Sequence, residues 1–248
     1  MIDTHAHILP AIDDGATDLS ESIEFVKTAA AQGVDIIFAT PHACDGVFNC
    51  TKENIIKACA SLTDALSAQG ISTSVLPGAE IRLNHDIVME YDKGHLLTLN
   101  NADNWLLLEL PDVFMANAVS LMIRKLRERG LTPIIAHAER NPMVLKNPGL
   151  ISDFVYNGAV IQITAGSLTG DFGRVSMKAA KAMLTMDTVF CLGSDIHPGR
   201  KYSMADAKKR LIKLIGRQKA DLITRENPAT ILEEADFFYK KENRKKVY

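Results

Sequence analysis

The chain has 248 residues, 47% hydrophobic and 23% charged, which leaves room for one large α/β core. Its formal net charge of −2 supplies no general basic field and argues against bulk nucleic-acid binding. No apolar run reaches the length of a membrane span, no signal-peptide pattern opens the chain, and Cys44, Cys50, Cys59 and Cys191 lack zinc-knuckle or redox spacing, so a cytoplasmic, non-membrane protein with reduced thiols is expected.

In chain order, "MIDTHAHI" reads as a strand and "LSESIEFVKTAAAQG" as a helix closed by Gly33. "VDIIFATPH" is a buried strand, followed by a helix across 51–69 and the strand "STSVLPGAE". A polar connection carrying His85 and His95, both read as surface residues, leads to "NWLLLELP" and a helix across 115–129. Next come "TPIIAHAER", a helix near 148–157, "AVIQITAG", a helix near 174–186, and "TVFCLGSDIH". A helix near 203–217 precedes "TRENPATILEEADFFYKK", a terminal helix entered through Pro228, and the basic tail at about 239–248 reads as solvated. Seven strands alternating with helices, without repeat or linker, predict a single domain over 1–248 whose parallel sheet closes into a barrel.

The reactive residues fall at particular places on that scaffold. His5 and His7 lie late in the first strand, with Asp14 in the loop after it; His42, Glu80, Glu109 and His137 end the second to fifth strands, and Asp195 and His197 the seventh. In a parallel barrel all strand C-termini open on one rim, so these nine side chains should converge. Strand alternation puts His5 and His7 on one face, within reach of one ion. Glu109 inside "WLLLELP" and Asp195 in "FCLGSDIH" are buried carboxylates, which need a cation or hydrogen-bond partners. A centre of several metal ions is expected, and imidazole plus carboxylate without thiolate suits Mn, Fe or Zn.

"DTHAH", the downstream "DDG", "TPH", "GAE", "LLLELP", "AHAER" and "GSDIH" occur in the order of the PHP superfamily (polymerase and histidinol phosphatase). With "ILPAIDDGA", "AHAERN" and the late "ENPATIL", the chain most resembles the manganese-dependent tyrosine-protein phosphatases of bacterial capsule and exopolysaccharide gene clusters, over roughly residues 1–235. The resemblance implies a distorted (β/α)7 barrel and a cluster of two or three Mn²⁺ ions. His5, His7, Glu80 and Asp195 would hold one ion, with Glu80 bridging; Glu109 and His137 would complete a second; Asp14, His42 and His197 would surround a third. It also implies a phosphotyrosine protein as partner, namely the C-terminal tail of a bacterial tyrosine kinase that controls polysaccharide export.

A divalent cluster supplies a nucleophile and charge neutralisation for phosphate ester hydrolysis, so a bridging hydroxide attacking in line is the expected mechanism. Arg140 and Arg200, three residues after His137 and His197, are placed to clamp phosphate oxygens. The acid for the leaving group is open between metal-bound water and a histidine such as His42. Phe48 and Phe114 are candidates to touch a phenyl ring, with core packing as their ordinary role. A cysteine-dependent phosphatase is excluded: the residues six beyond Cys44, Cys50, Cys59 and Cys191 are Cys50, Ile56, Ala65 and His197, none the required arginine. The alternatives are a histidinol-phosphate phosphatase, a polymerase-associated nuclease, and a regulatory protein that only docks phosphopeptides.

Overall fold

The computed structural model describes residues 1–43, 46–48 and 50–232; Cys44 and the basic tail at 239–248 lie outside the described residues. Among the described residues, nine strand segments run in parallel: β1 (Ile2–Ala6), β2 (Ile36–Ala39), β3 (His42–Ala43), β4 (Ser74–Pro77), β5 (Glu80–Arg82), β6 (Trp105–Glu109), β7 (Thr132–Ile135), β8 (Val160–Thr164) and β9 (Val189–Gly193). They form two sheets, ordered β1-β2-β4 and β3-β5-β6-β7-β8-β9. Two of the seven expected strands are thus each broken in two. Proline explains both breaks: Pro41 separates β2 from β3 and Pro77 closes β4, and neither can donate to a ladder. The Pro41 carbonyl instead accepts from the Glu80 backbone N–H at 3.0 Å, tying the upper halves together. Counted as staves, β2 with β3 and β4 with β5, the strands number seven.

The ring closes between β1 and the end of β9. Ala6 bridges Ile196, the Asp195 N–H donates to the His5 carbonyl at 2.8 Å, and the His7 N–H donates to the Ile196 carbonyl at 3.3 Å. The result is a mixed α/β fold, a distorted barrel. Its strand N-terminal end is filled by Ile2, Phe38, Leu99, Trp105, Leu107, Ile134, Cys191 and Ile231, which pack as one apolar cluster. That plug leaves the opposite rim as the open end.

Around the ring lie α1 (Leu19–Ala31), α2 (Lys52–Ala68), α3 (Ile87–Asp92), α4 (Ala116–Arg127), α5 (Pro142–Lys146), α6 (Leu150–Tyr156), α7 (Ala165–Thr169), α8 (Gly173–Thr185), α9 (Met204–Ile215) and α10 (Arg217–Asp221). Asp18 and Thr51 cap α1 and α2 by accepting from the backbone N–H groups of Glu21 and Asn54. The short helices α3, α5 and α7 fall in segments whose sequence shows no period long enough to read. The helix expected near 203–217 is two helices, because Gly216 sits at φ 82° and breaks it. The expected terminal helix is helical through its described part, as a π-type turn (Leu222–Glu226), an α-helical turn carrying Pro228 (Asn227–Ala229) and a 3₁₀ turn (Thr230–Leu232). Tertiary contacts hold this segment in place, with Asn227 donating to the Phe190 carbonyl at 2.9 Å and Ile231 fully buried in the plug. Among the described residues, no helix is long and apolar enough to cross a membrane.

Candidate metal centre

All nine expected residues stand on the strand C-terminal rim. The centre is Glu80, whose carboxylate is 1% exposed. Its Oε1 meets His137 Nε2 at 2.7 Å. Its Oε2 lies 3.2 Å from His5 Nε2, 3.3 Å from His7 Nε2 and 3.2 Å from His42 Nδ1, yet it accepts no hydrogen bond among the described residues. His5 Nε2 and His7 Nε2 are themselves 3.0 Å apart. Two ligands at ~2.1 Å from one ion stand roughly 3.0–3.4 Å apart, so these separations fit atoms facing a shared cation.

The far nitrogens of both rings are occupied, which points the near ones inward. His5 Nδ1 donates to Gln162 Oε1 at 2.9 Å, and the Gln162 amide donates to Thr4 Oγ1 at 2.8 Å. Neighbouring residues 4 and 5 thus reach the same amide, where the register shifts both in β1–β2, between Asp3 and Ala6, and in β8–β9, between Ile161 and Gln162. Gly193 lies directly behind His5; a Cβ there would stand 2.6 Å from His5 Cβ. His7 Nδ1 donates to Asp13 Oδ2 at 2.7 Å, and Asp13 also accepts from the backbone N–H groups of His42 and Gly15 at 2.9 and 3.0 Å. Asp13 therefore turns inward to hold a ligand ring, while its neighbour Asp14, 53% exposed, faces the cavity 3.2 Å from His197 Nε2.

Among the described residues, three groups place one donor atom each within mutual reach: His5, His7 and Glu80; Glu80, Glu109 and His137; and His7, Asp14, His42 and His197. His7 thus stands between two groups rather than in one. Asp195 splits its oxygens. Oδ1 faces His5, His7 and His197 at 3.7, 3.6 and 3.5 Å, and Oδ2 takes Arg140 Nη2 at 2.5 Å and Arg200 Nη1 at 2.7 Å. Both Asp195 and His137 adopt left-handed backbone (φ 52° and 32°), an uncommon state for residues with a Cβ that is retained where surroundings over-determine it.

The electrostatics describe a site built for cations. Burial alone would raise the Glu80 pKa, but the surrounding imidazoles, His5 and His137 first, hold it well below the usual carboxylate range. Burial and the Glu80 charge push Glu109 up. Burial and the neighbouring His7 push His197 down to about 4, leaving it neutral and ready to ligate. The open cavity above these groups has a volume of about 240 Å³ and is lined also by Arg140, Arg200, Asn141 and Asp112.

Other residues settle elsewhere. Cys50, Cys59 and Cys191 are buried, and burial pushes the Cys191 thiol up to about 12. His85 and His95 have side chains 89% and 58% exposed. Phe114 packs on Phe154, and Phe48 lies parallel to the His42 ring at 5.9 Å. Asp13, Gln162 and Phe172, whose ring lies under the guanidinium of Arg140, fall outside the expected set of site residues, although the Asp13-Asp14 pair stands out in the sequence. A polar residue inside the apolar run "VIQIT" was a signal for Gln162; the adjacent Asp13 and Asp14 were indistinguishable.

Residues 1–233 match the family described as capsular polysaccharide synthesis, CpsB/CapC. The tyrosine-protein phosphatase YwqE of Bacillus subtilis (strain 168) is 35% identical over 96% of this chain and 94% of its own. The putative tyrosine-protein phosphatase CapC of Staphylococcus aureus is 32% identical over 79% and 77%. A chain from the crystal structures of YwqE from Bacillus subtilis and CpsB from Streptococcus pneumoniae, described as unique metal-dependent tyrosine phosphatases, superposes with a TM-score of 0.82 over 95% of this chain and 93% of that one, at 34% identity. The histidinol phosphate phosphatase of Lactococcus lactis, at 11% identity and a TM-score of 0.58 over 90% and 94%, shares the fold. The chain belongs to the CpsB/CapC family of the capsular polysaccharide synthesis proteins.

Proposed function

We propose that the chain is a metal-dependent protein-tyrosine phosphatase in which His5, His7, Asp14, His42, Glu80, Glu109, His137, Asp195 and His197 hold two or three divalent ions, Mn²⁺ first among them. The observation that carries this reading is the buried Glu80 Oε2, surrounded by three imidazole nitrogens at 3.2–3.3 Å with no hydrogen bond of its own among the described residues. A carboxylate so placed is costly unless a cation completes it. Divalent ions bound there would supply a nucleophile from water and neutralise the phosphoryl oxygens.

The chain's own residues do the rest. Arg140 and Arg200 converge on Asp195 Oδ2 at the cavity edge and grip the phosphate oxygens there. His42, at 19% side-chain exposure, reaches solvent as well as Glu80, so either it or metal-bound water would supply the proton to the leaving phenolate. The rim is open, so an extended phosphotyrosine segment can enter. The partner we assign is the C-terminal tail of a bacterial tyrosine kinase regulating capsule or exopolysaccharide synthesis in the cytoplasm. The named relatives of this family are tyrosine-protein phosphatases, which supports this assignment. The test is kcat/KM for a phosphotyrosine peptide, a phosphoserine peptide and histidinol phosphate with the same Mn²⁺ loading. Phosphotyrosine should be preferred. Preference for histidinol phosphate would overturn the reading, and phosphopeptide binding without turnover would make the chain a docking protein.

A further inference from the structure

We infer that Phe172 is the positioning residue for the phosphate grip, an aromatic platform that holds both guanidinium groups in place. The inference rests on the phosphatase reading above. Arg140 Cζ lies 4.4 Å and Arg200 Cζ 5.5 Å from the Phe172 ring centroid, both within cation–π range. The two arginines come from different loops, after β7 and after β9, and their like charges meet at one carboxylate oxygen. One carboxylate leaves part of that repulsion uncompensated; the negative face of a ring touching both adds attraction without competing for the N–H groups that would bind phosphate.

The ring is held by a built surrounding. It projects from the turn between α7 and α8, where the Gly173 N–H donates to the Gly170 carbonyl at 3.0 Å and the Asp171 N–H to the Gly166 carbonyl at 2.8 Å. The Asp171 carboxylate accepts from Thr169 Oγ1 at 2.7 Å and from Ser203 Oγ, just before α9, at 2.8 Å. The ring also packs on Gly166, where a Cβ would stand 2.7 Å from Phe172 Cε2, so a larger residue would push it off its seat. Deeper still, Glu139, next to Arg140 and fully buried, accepts from the Thr164 N–H and from Ser167 Oγ, which fixes the Arg140 turn against α7. Ring and guanidinium therefore ride on one interlocked piece. Long, flexible arginine side chains lose less freedom on gripping phosphate when they are already seated.

The experiment compares wild type, Phe172→Leu and Phe172→Tyr, each loaded with Mn²⁺, by calorimetric binding of inorganic phosphate and by kcat and KM on a phosphotyrosine peptide. Phe172→Leu should weaken phosphate binding and kcat/KM by about tenfold, chiefly through KM, with metal content unchanged. Phe172→Tyr, which keeps the π face, should stay within about twofold of wild type. If Phe172→Leu fails to fold, Phe172→Met carries the same expectation. Unchanged phosphate affinity in the leucine variant would overturn the inference, as would a tyrosine variant as weak as leucine, which would mark a packing role. If wild type binds phosphate but cleaves no phosphotyrosine, the phosphatase reading fails, and the phosphate isotherms alone still decide the role of Phe172.

Discussion

Removing Asp13 should weaken metal binding although Asp13 is not itself a candidate ligand. Its side chain is fully buried and accepts three hydrogen bonds, from His7 Nδ1 at 2.7 Å and from the His42 and Gly15 N–H groups. The first orients the His7 ring so that Nε2 faces Glu80. Loss of such an orienting partner costs ~10–100-fold in metal affinity, or about 1.4–2.8 kcal/mol. Asp13→Ala also strips two backbone N–H groups of their acceptor, at roughly 1–3 kcal/mol each, so the metal-free fold should melt lower as well. Asp13→Asn separates the two effects. It keeps an oxygen for one backbone donor but presents an amide to His7 or forces the opposite tautomer, so metal affinity should fall nearly as far while stability suffers less. The assay is competition with a chelator for Mn²⁺, beside thermal melts of the metal-free variants. Wild-type metal affinity in a folded Asp13→Asn protein would refute the reasoning.

Arg200→Ala should lower kcat/KM on a phosphotyrosine peptide by about tenfold or more, as expected for one charge-assisted phosphate contact; unchanged kcat/KM would remove Arg200 from the grip. Cys191→Ser should leave kcat/KM within about twofold, because burial pushes the thiol up to about 12 and no thiolate forms at neutral pH; a loss of about a thousandfold in a folded variant would reopen covalent catalysis. Metal affinity should rise with pH. Burial would depress the His7 pKa, but the hydrogen bond to Asp13 and the adjacent Glu80 carboxylate lift it to about 10 in the metal-free protein. A raised pKa means the proton stabilises the metal-free fold fully below about 6.5, and that contribution is lost as pH rises through 10. An ion must displace that proton, so Mn²⁺ titrations at pH 6.5 and 8.5 should show tighter binding at the higher pH and proton release on binding. A pH-independent affinity would contradict the protonated His7.

Much of this rim was legible in the sequence because strand ends carry their own signal. Glu109 closes an otherwise apolar run, and Asp195 and His197 follow another, so the cost of burying them marked them as a site before any coordinates. The count of seven strands survived because hydrophobic runs spanned both proline breaks. What stayed hidden depends on contacts distant in sequence. Whether Asp13 or Asp14 turns inward is decided by the His42 N–H, twenty-nine residues away. Gln162 matters where the register shifts in β1–β2 and β8–β9, which alternation alone does not foretell. Phe172 sits in "TGDFGR", a stretch that reads as an ordinary turn, and only the folded chain brings Arg140 and Arg200 to its ring. The terminal segment is helical as its pattern predicts, but that Asn227 and Ile231 also plug the barrel is not in the pattern.

If the metal centre is the engine of phosphotyrosine hydrolysis, turnover must follow metal content. Protein stripped by chelator and then reloaded with Mn²⁺ is assayed for metal content per chain and for phosphate release from a phosphotyrosine peptide. Two or three ions per chain, no turnover when stripped and recovery on reloading are the predicted result. Full activity in a preparation verified to be metal-free would contradict it.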